Sequence, residues 1–355
     1  MTQRNELLPR GDFSARAWNL RLGRYYLQLH RRATLLGLLG GFLLLALVIL
    51  ALGLGDFAIA PGRVLGVLLH PDGGMESTIV NEWRAPRVLA AVLFGAGLGL
   101  SGLCFQTLTR NPLATPDVIG LANGSMTGMI LVLTVVGGSW PQQMLGSLLG
   151  ALAAAALIYL LAFKDGLQGF RFIVVGIGLA AMFGALNTWL LLRVELEVAL
   201  FAAAWGAGTL NSISWQNALP SMIVLFVACL MLLGFARGLR QLDLGHDVAQ
   251  SSGVRIRVVP VLVIALAVVV VAAVTVAAGP ISFIALVAPQ VARRLAGTAH
   301  LPMGSTMLCG ALLLLASDLI AQHLIALTVP VGVVTVVLGG LYLLWLLSSQ
   351  KEGQL

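Results

Sequence analysis

Gly279-Pro280-Ile281-Ser282-Phe283-Ile284-Ala285-Leu286-Val287-Ala288-Pro289-Gln290-Val291-Ala292-Arg293-Arg294 is an apolar run that opens on Gly-Pro, carries a second proline and ends on paired arginines. A membrane-spanning helix needs about 20 apolar residues, so this stretch is short for one and interrupted. Lipid does not tolerate irregular backbone, because no water is present there to satisfy free N–H and C=O groups. A broken apolar segment among long ones therefore lines a cavity or packs inside protein. The stretch points to a transport pathway.

The surrounding chain supplies the long runs. Of 355 residues, 59% are hydrophobic and 10% charged, against about a quarter charged in soluble domains. The mean hydropathy is +0.98. The chain reads as an all-α polytopic membrane protein. Apolar runs fall near 34–55, 88–107, 117–137, 143–163, 172–192, 218–236, 257–278, 281–293, 303–325 and 329–347. The first is too long for the core of a secretory signal and is taken as a retained helix. Residues 1–33 form a basic tail with seven arginines, and within it 13–32 fits an interfacial helix or a disordered segment equally well. The runs define a permease domain over 34–348, followed by a short tail, 349–355.

Charge sets the orientation. With the N-terminus in the cytoplasm, that side receives the tail arginines, Arg110, Lys164, Arg171, Arg237, Arg240, Arg255, Arg257, Arg293, Arg294 and Lys351, which is 17 of the 21 basic residues. Arg63, Arg84, Arg87 and Arg193 fall outside. This is a strong positive-inside bias. It favours a crossing at 281–293, hence ten spans with both termini in the cytoplasm. The net charge of +7 lies in loops between the apolar runs and gives no reason to expect nucleic acid.

Several chemistries are absent. Neither lysine, Lys164 or Lys351, follows a glycine, so there is no Gly-Lys-Ser/Thr phosphate loop and no ATP hydrolysis by that device. Cys104, Cys229 and Cys309 lie in separate apolar runs and read as small buried hydrophobes. The five histidines form no metal-ligand or Ser-His-Asp arrangement. No cofactor and no metal are expected on this chain, and it is not expected to be an enzyme. Asp318 is the one acid deep within a span. An ion-coupled transporter would need more such groups along its route.

Four clusters remain. Glu82-Trp83-Arg84-Ala85-Pro86-Arg87 opens the second span. Leu100-Ser101-Gly102 leads through Gln106 to Arg110-Asn111-Pro112-Leu113-Ala114-Thr115-Pro116-Asp117. Gly245-His246-Asp247-Val248-Ala249-Gln250-Ser251-Ser252-Gly253-Val254 lies in the inner loop 237–257. The fourth is the opening stretch, followed by Ala316-Ser317-Asp318 and Pro330-Val331-Gly332-Val333-Val334-Thr335.

With these in order, residues 34 to 347 resemble the permease subunits of the iron-siderophore and vitamin B12 class of ABC importers. Val80-Asn81-Glu82-Trp83-Arg84, Asn187-Thr188-Trp189-Leu190-Leu191-Leu192 and the Ile-Ser-Phe-Ile-Ala-Leu-Val-Ala-Pro run most resemble the second permease subunit of ferric enterobactin systems. The resemblance implies a type II ABC importer permease in a bacterial inner membrane, with two inverted five-helix halves. It implies a second permease, with a heterodimer favoured, and two ATPase subunits that carry ATP and Mg. It also implies a periplasmic siderophore-binding protein. The implied cargo is a ferric siderophore, catecholate by preference; vitamin B12 or haem is the alternative.

The resemblance also assigns residues. Arg84 and Arg87 match the family's Arg-x-Pro-Arg motif, which meets carboxylates of the binding protein. Gly245, Asp247, Ala249 and Gly253 fall in the region that contacts the ATPase, although Ser252 stands where leucine is usual. Leu167, Gln168 and Gly169 mark an inner gate. Gln106, Asn123, Asn187 and Asp318 are pathway candidates, with a structural hydrogen-bonding role favoured for Asp318. Four residues after Asp318 the family carries an arginine, and here Gln322 replaces it. In the opening stretch Ala285 stands for glycine and Gln290 for histidine, so no titrating role is expected at 290.

Overall fold

A computed structural model describes residues 17–22, 25–116, 120–137, 139–162, 169–297, 301–324 and 329–351. Two strands, β1 (Ala17–Leu22) and β2 (Tyr25–His30), pair antiparallel with Ala17 opposite His30 and Leu22 opposite Tyr25. This hairpin replaces the interfacial helix or disordered segment expected over 13–32. Alternation of Leu20, Leu22, Leu27 and Leu29 with polar residues is a period-two pattern, which favours a strand over a helix.

The remainder is helical. The order is α1 (Arg31–Gly53), α2 (Pro61–Leu69), α3 (Met75–Thr78), a π turn (Ile79–Arg84), α4 (Ala85–Thr109), α5 (Leu121–Val135), α6 (Trp140–Ala162), α7 (Gly169–Leu191), α8 (Leu196–Gly206) and α9 (Trp215–Gly234). It continues with α10 (Ala236–Leu244), α11 (His246–Ser251), α12 (Val259–Ala278), α13 (Ile284–Ala296), α14 (Met303–His323) and α15 (Val331–Lys351). Ten of these, α1, α4 to α7, α9 and α12 to α15, coincide with the ten apolar runs. Among the described residues, seven helices are long and apolar enough to cross a membrane on length and composition. Of the other three of the ten, α5 has 15 residues and α13 has 13, and the apolar stretch described in α15 spans Val331–Leu346. The apolar helix α8 has only 11 residues and connects α7 to α9.

The core is built around α4, which is buried along most of its length. Small residues let its neighbours approach. A Cβ at Gly95 would collide with the carbonyl of Gly310 on α14, and one at Gly102 with the carbonyl of Ala285 on α13. Within the apolar phase this backbone approach gives dispersion contacts that a larger residue would block.

The opening stretch breaks at Gly279-Pro280 but not at its second proline, since Pro289 lies inside the helix, and that helix is displaced. It starts at Ile284 rather than 281 and runs on to Ala296. Residues 279–283 are not helical. Gly279 has φ +71° and Phe283 φ +70°, a conformation that non-glycine residues adopt at a cost. The irregular backbone is packed against protein, as lipid exclusion requires. Thr209 N–H donates to Ala278 O (2.7 Å) and Gly332 N–H to Gly208 O (2.9 Å). The ends of α8 and α12 and the start of α15 thus meet in one knot. Ile281, Ile284, Ala285 and Ala288 are buried.

Candidate functional site

Arg84 and Arg87 stand at the start of α4, where Pro86 occupies the first turn and its missing N–H leaves no hydrogen bond unmade. Both guanidinium groups are engaged within the chain. Arg84 donates to the carbonyls of Leu52 (2.8 Å) and Phe57 (2.7 Å), fastening α4 to the α1–α2 connection. Arg87 donates Nε to Asp318 Oδ2 (3.0 Å) and Nη2 to Oδ1 (2.8 Å). Gln322, one turn on from Asp318 along α14, donates Nε2 to the same Oδ2 (2.6 Å). Asp318 therefore accepts three hydrogen bonds at 2% side-chain exposure. The amide of Gln322 serves an oxygen that Arg87 also serves.

Beside this cluster lies a pocket of about 290 Å³ with Asp56, Trp83, Arg84, Arg87 and Gln322 among its lining residues. Trp83 is 65% exposed there. Nearby, Arg63 bridges Asp72 (2.6 Å) and Glu76 (2.5 Å), clasping α2 to α3. The N–H of Gly74 and the Arg63 guanidinium hold the Asp72 carboxyl below its usual range.

Loop 237–257 folds into α10 and α11. Leu239 and Leu242 are buried, as is Ala249, whereas Asp247 and Gly253 are exposed. Gly245 (φ +135°, ψ +156°) makes the bend between the two helices in a region open essentially to glycine alone. Gly253 (φ +83°) ends α11. Its N–H donates to Gln250 O (3.0 Å), and Val254 N–H to Ala249 O (2.9 Å), which together form a Schellman cap. Two exposed apolar side chains, Leu244 (74%) and Val248 (43%), were not among the sequence candidates. Leu244 lies two residues past buried Leu242, on the opposite side of a 3.6-residue helix, which is the signal that could have marked it.

The pathway candidates are bound to neighbouring helices. Gln106 is buried and donates to Leu286 O (3.1 Å) across α4 and α13, while its Oε1 lacks a partner among the described residues. Asn123 donates to Ala180 O (2.9 Å), Asn187 to Asn123 O (3.0 Å), and Thr127 to Asn187 Oδ1 (2.6 Å). The last three residues join α5 to α7, and Thr127 was not anticipated although it stands one turn from Asn123. Gln290 donates to Pro112 O (2.7 Å), tying α13 to the α4–α5 connection. Of the expected gate, Leu167 and Gln168 lie outside the described residues and Gly169 is the first residue of α7. No cluster that could hold a metal ion occurs among the described residues.

Comparison with known proteins agrees with this architecture. The model of the FecCD transport family matches residues 43–349. The ferric enterobactin transport system permease protein FepG of Escherichia coli (strain K12) is 42% identical over 299 residues, 84% of this chain and 91% of that protein. The corresponding protein FepD of the same organism is 32% identical over 321 residues, 88% and 95% of the two chains. A solved structure, an inward-facing conformation classed as a metal-chelate type ABC transporter, is similar with a TM-score of 0.80. It is 27% identical and covers 89% of this chain and 99% of that one. On the length of these matches, the chain belongs to the FecCD transport family, whose members are membrane permease subunits of iron-chelate transport.

Proposed function

We propose that this chain is one of two different permease subunits of an ATP-driven importer that carries a ferric catecholate siderophore from periplasm to cytoplasm. The observation carrying this reading is the 42% identity to FepG across most of both chains. The match to FepD, at 32%, supports a paired arrangement in which a second, related permease completes the pathway. ATP and Mg would be bound by two partner ATPase subunits, and a periplasmic binding protein would deliver the cargo. Both termini would lie in the cytoplasm of a bacterium, with the chain in its inner membrane.

In this reading the pocket around Trp83, Arg84 and Arg87 receives the binding protein. Gly245, Asp247, Ala249 and Gly253, with exposed Leu244 and Val248, meet the ATPase. Leu167, Gln168 and Gly169 gate the inner end. Gln106, Asn123, Asn187 and Asp318 brace the helices along the route. Uptake of radiolabelled ferric chelates by a strain deleted for this gene tests the cargo. Loss of ferric enterobactin uptake with ferric hydroxamate uptake retained is the expected result. Loss confined to haem or vitamin B12 would overturn it.

A further inference from the structure

None of the residues above uses the crevice between α4, α5, α6 and α12. It holds about 390 Å³, within the ~300–1,000 Å³ typical of ligand pockets. Its walls include Phe105 of α4, Ile158 and Tyr159 of α6, and Ile264 and Val268 of α12. It arises from unequal packing around the core. Where α4 meets α14, Gly95 and Gly310 bring the backbones together. No glycine lines the crevice, so side chains set a wider spacing. Leu152, Ala156, Tyr159 and Ala265 on its rim are exposed.

The walls run over residues 152–159 and 261–269. That is ~12 Å at 1.5 Å per residue, close to one leaflet of a hydrocarbon layer ~30 Å thick. The turn that leads into α12 carries Arg255 and Arg257, six and four residues before Val261, the first α12 residue to line the crevice. The N–H groups of Val258 and Val259 donate to Arg255 O (both 3.0 Å), so the turn that leads into α12 begins at Arg255. Both arginines are exposed, and neither forms an ion pair among the described residues.

An almost wholly apolar trench with an exposed rim, and two exposed arginines without an ion pair among the described residues in the turn that leads into its α12 wall, matches an anionic phospholipid. We propose that an acyl chain of such a lipid fills the trench and that its phosphate is held by Arg255 and Arg257. The inference rests on the orientation proposed above, which places these arginines at the cytoplasmic surface.

The test is native mass spectrometry of the purified permease complex, equilibrated with equal amounts of phosphatidylglycerol and phosphatidylethanolamine. One retained phosphatidylglycerol per copy of this chain is expected, enriched several-fold over phosphatidylethanolamine. Arg255→Ala with Arg257→Ala should abolish the enrichment, and either substitution alone should reduce it, by at most roughly fivefold. Ala156→Phe with Ala265→Phe should fill the trench and remove retained lipid of either headgroup, with co-purification of the complex as the check on folding. No enrichment in the unaltered complex overturns the proposal, as does equal retention in the trench-filled variant. Protection of Ala156→Cys from a membrane-soluble maleimide only when the second permease is paired would assign the trench to that subunit and also overturn it. Labelling of Arg257→Cys by an impermeant maleimide from the periplasmic side would sink the orientation while leaving the lipid count readable.

Discussion

Arg87 grips both carboxylate oxygens of Asp318 from 231 residues away in sequence, joining α4 to α14 at one end of the bundle. An ionised acid within a membrane span is tolerated only with such a partner. Removing one member leaves the other charge buried and unpaired, which costs about 3–5 kcal/mol in comparable buried pairs. Arg87→Ala or Asp318→Ala should therefore lower the thermal stability of the purified permease sharply. Arg87→Met combined with Asp318→Leu should recover much of the loss. A double variant as unstable as the sum of the singles would remove the pair from the account of the fold.

That pairing changes how docking must be tested. Arg87→Glu would place a carboxylate against Asp318 and read out folding rather than delivery. Arg84 is the better probe, because its two acceptors are neutral carbonyls. Arg84→Gln removes the charge and keeps a donor. Charges at an interface rim act mainly on encounter rate and its salt dependence. The variant should assemble with its partners, take up cargo more slowly, and lose part of the salt dependence of uptake. Normal uptake at every ionic strength would exclude Arg84 from docking.

At the other end, the cap on α11 makes a graded prediction. Gly253 occupies the left-handed region, where alanine costs about 1–2 kcal/mol and asparagine is better tolerated. If α11 transmits ATPase movement, Gly253→Ala should reduce the uptake achieved per ATP hydrolysed in reconstituted vesicles, and Gly253→Asn should reduce it less. Leu244→Ser with Val248→Ser should weaken ATPase association, read by co-purification. Equal behaviour of the alanine and asparagine variants would argue that the cap geometry is not what couples.

The sequence made the ten helices legible because each is an apolar run closed by charge or by Gly and Pro, and burial in lipid enforces that pattern. It also made Asp318 conspicuous as a lone acid. Its partner was hidden, because nothing local to Arg87 points across to α14. Asn123 and Asn187 read as pathway residues for the same reason, since a polar group in an apolar helix can face a channel or another helix. Only the placement of Thr127 and Ala180 reveals the latter. The N-terminal hairpin is less legible, because aromatic and leucine residues among arginines fit an amphipathic helix as readily as their period-two alternation fits a strand.

The last prediction concerns the break that precedes α13. Phe283 holds φ +70° at the start of that helix, and a Cβ placed on Gly339 of α15 would overlap its side chain. The strained backbone and the missing side chain are thus two halves of one fit. Gly339→Ala alone should destabilise the permease by forcing the ring aside. Phe283→Gly alone relieves the dihedral but removes the ring. Together they should cost less than the sum, with a coupling of about 0.5–3 kcal/mol as contacting residues show. Thermal unfolding of the four variants in detergent measures it. Strictly additive costs would mean that ring and glycine do not act on each other. The irregular 279–283 backbone would then be held without help from the fit of the Phe283 ring against Gly339.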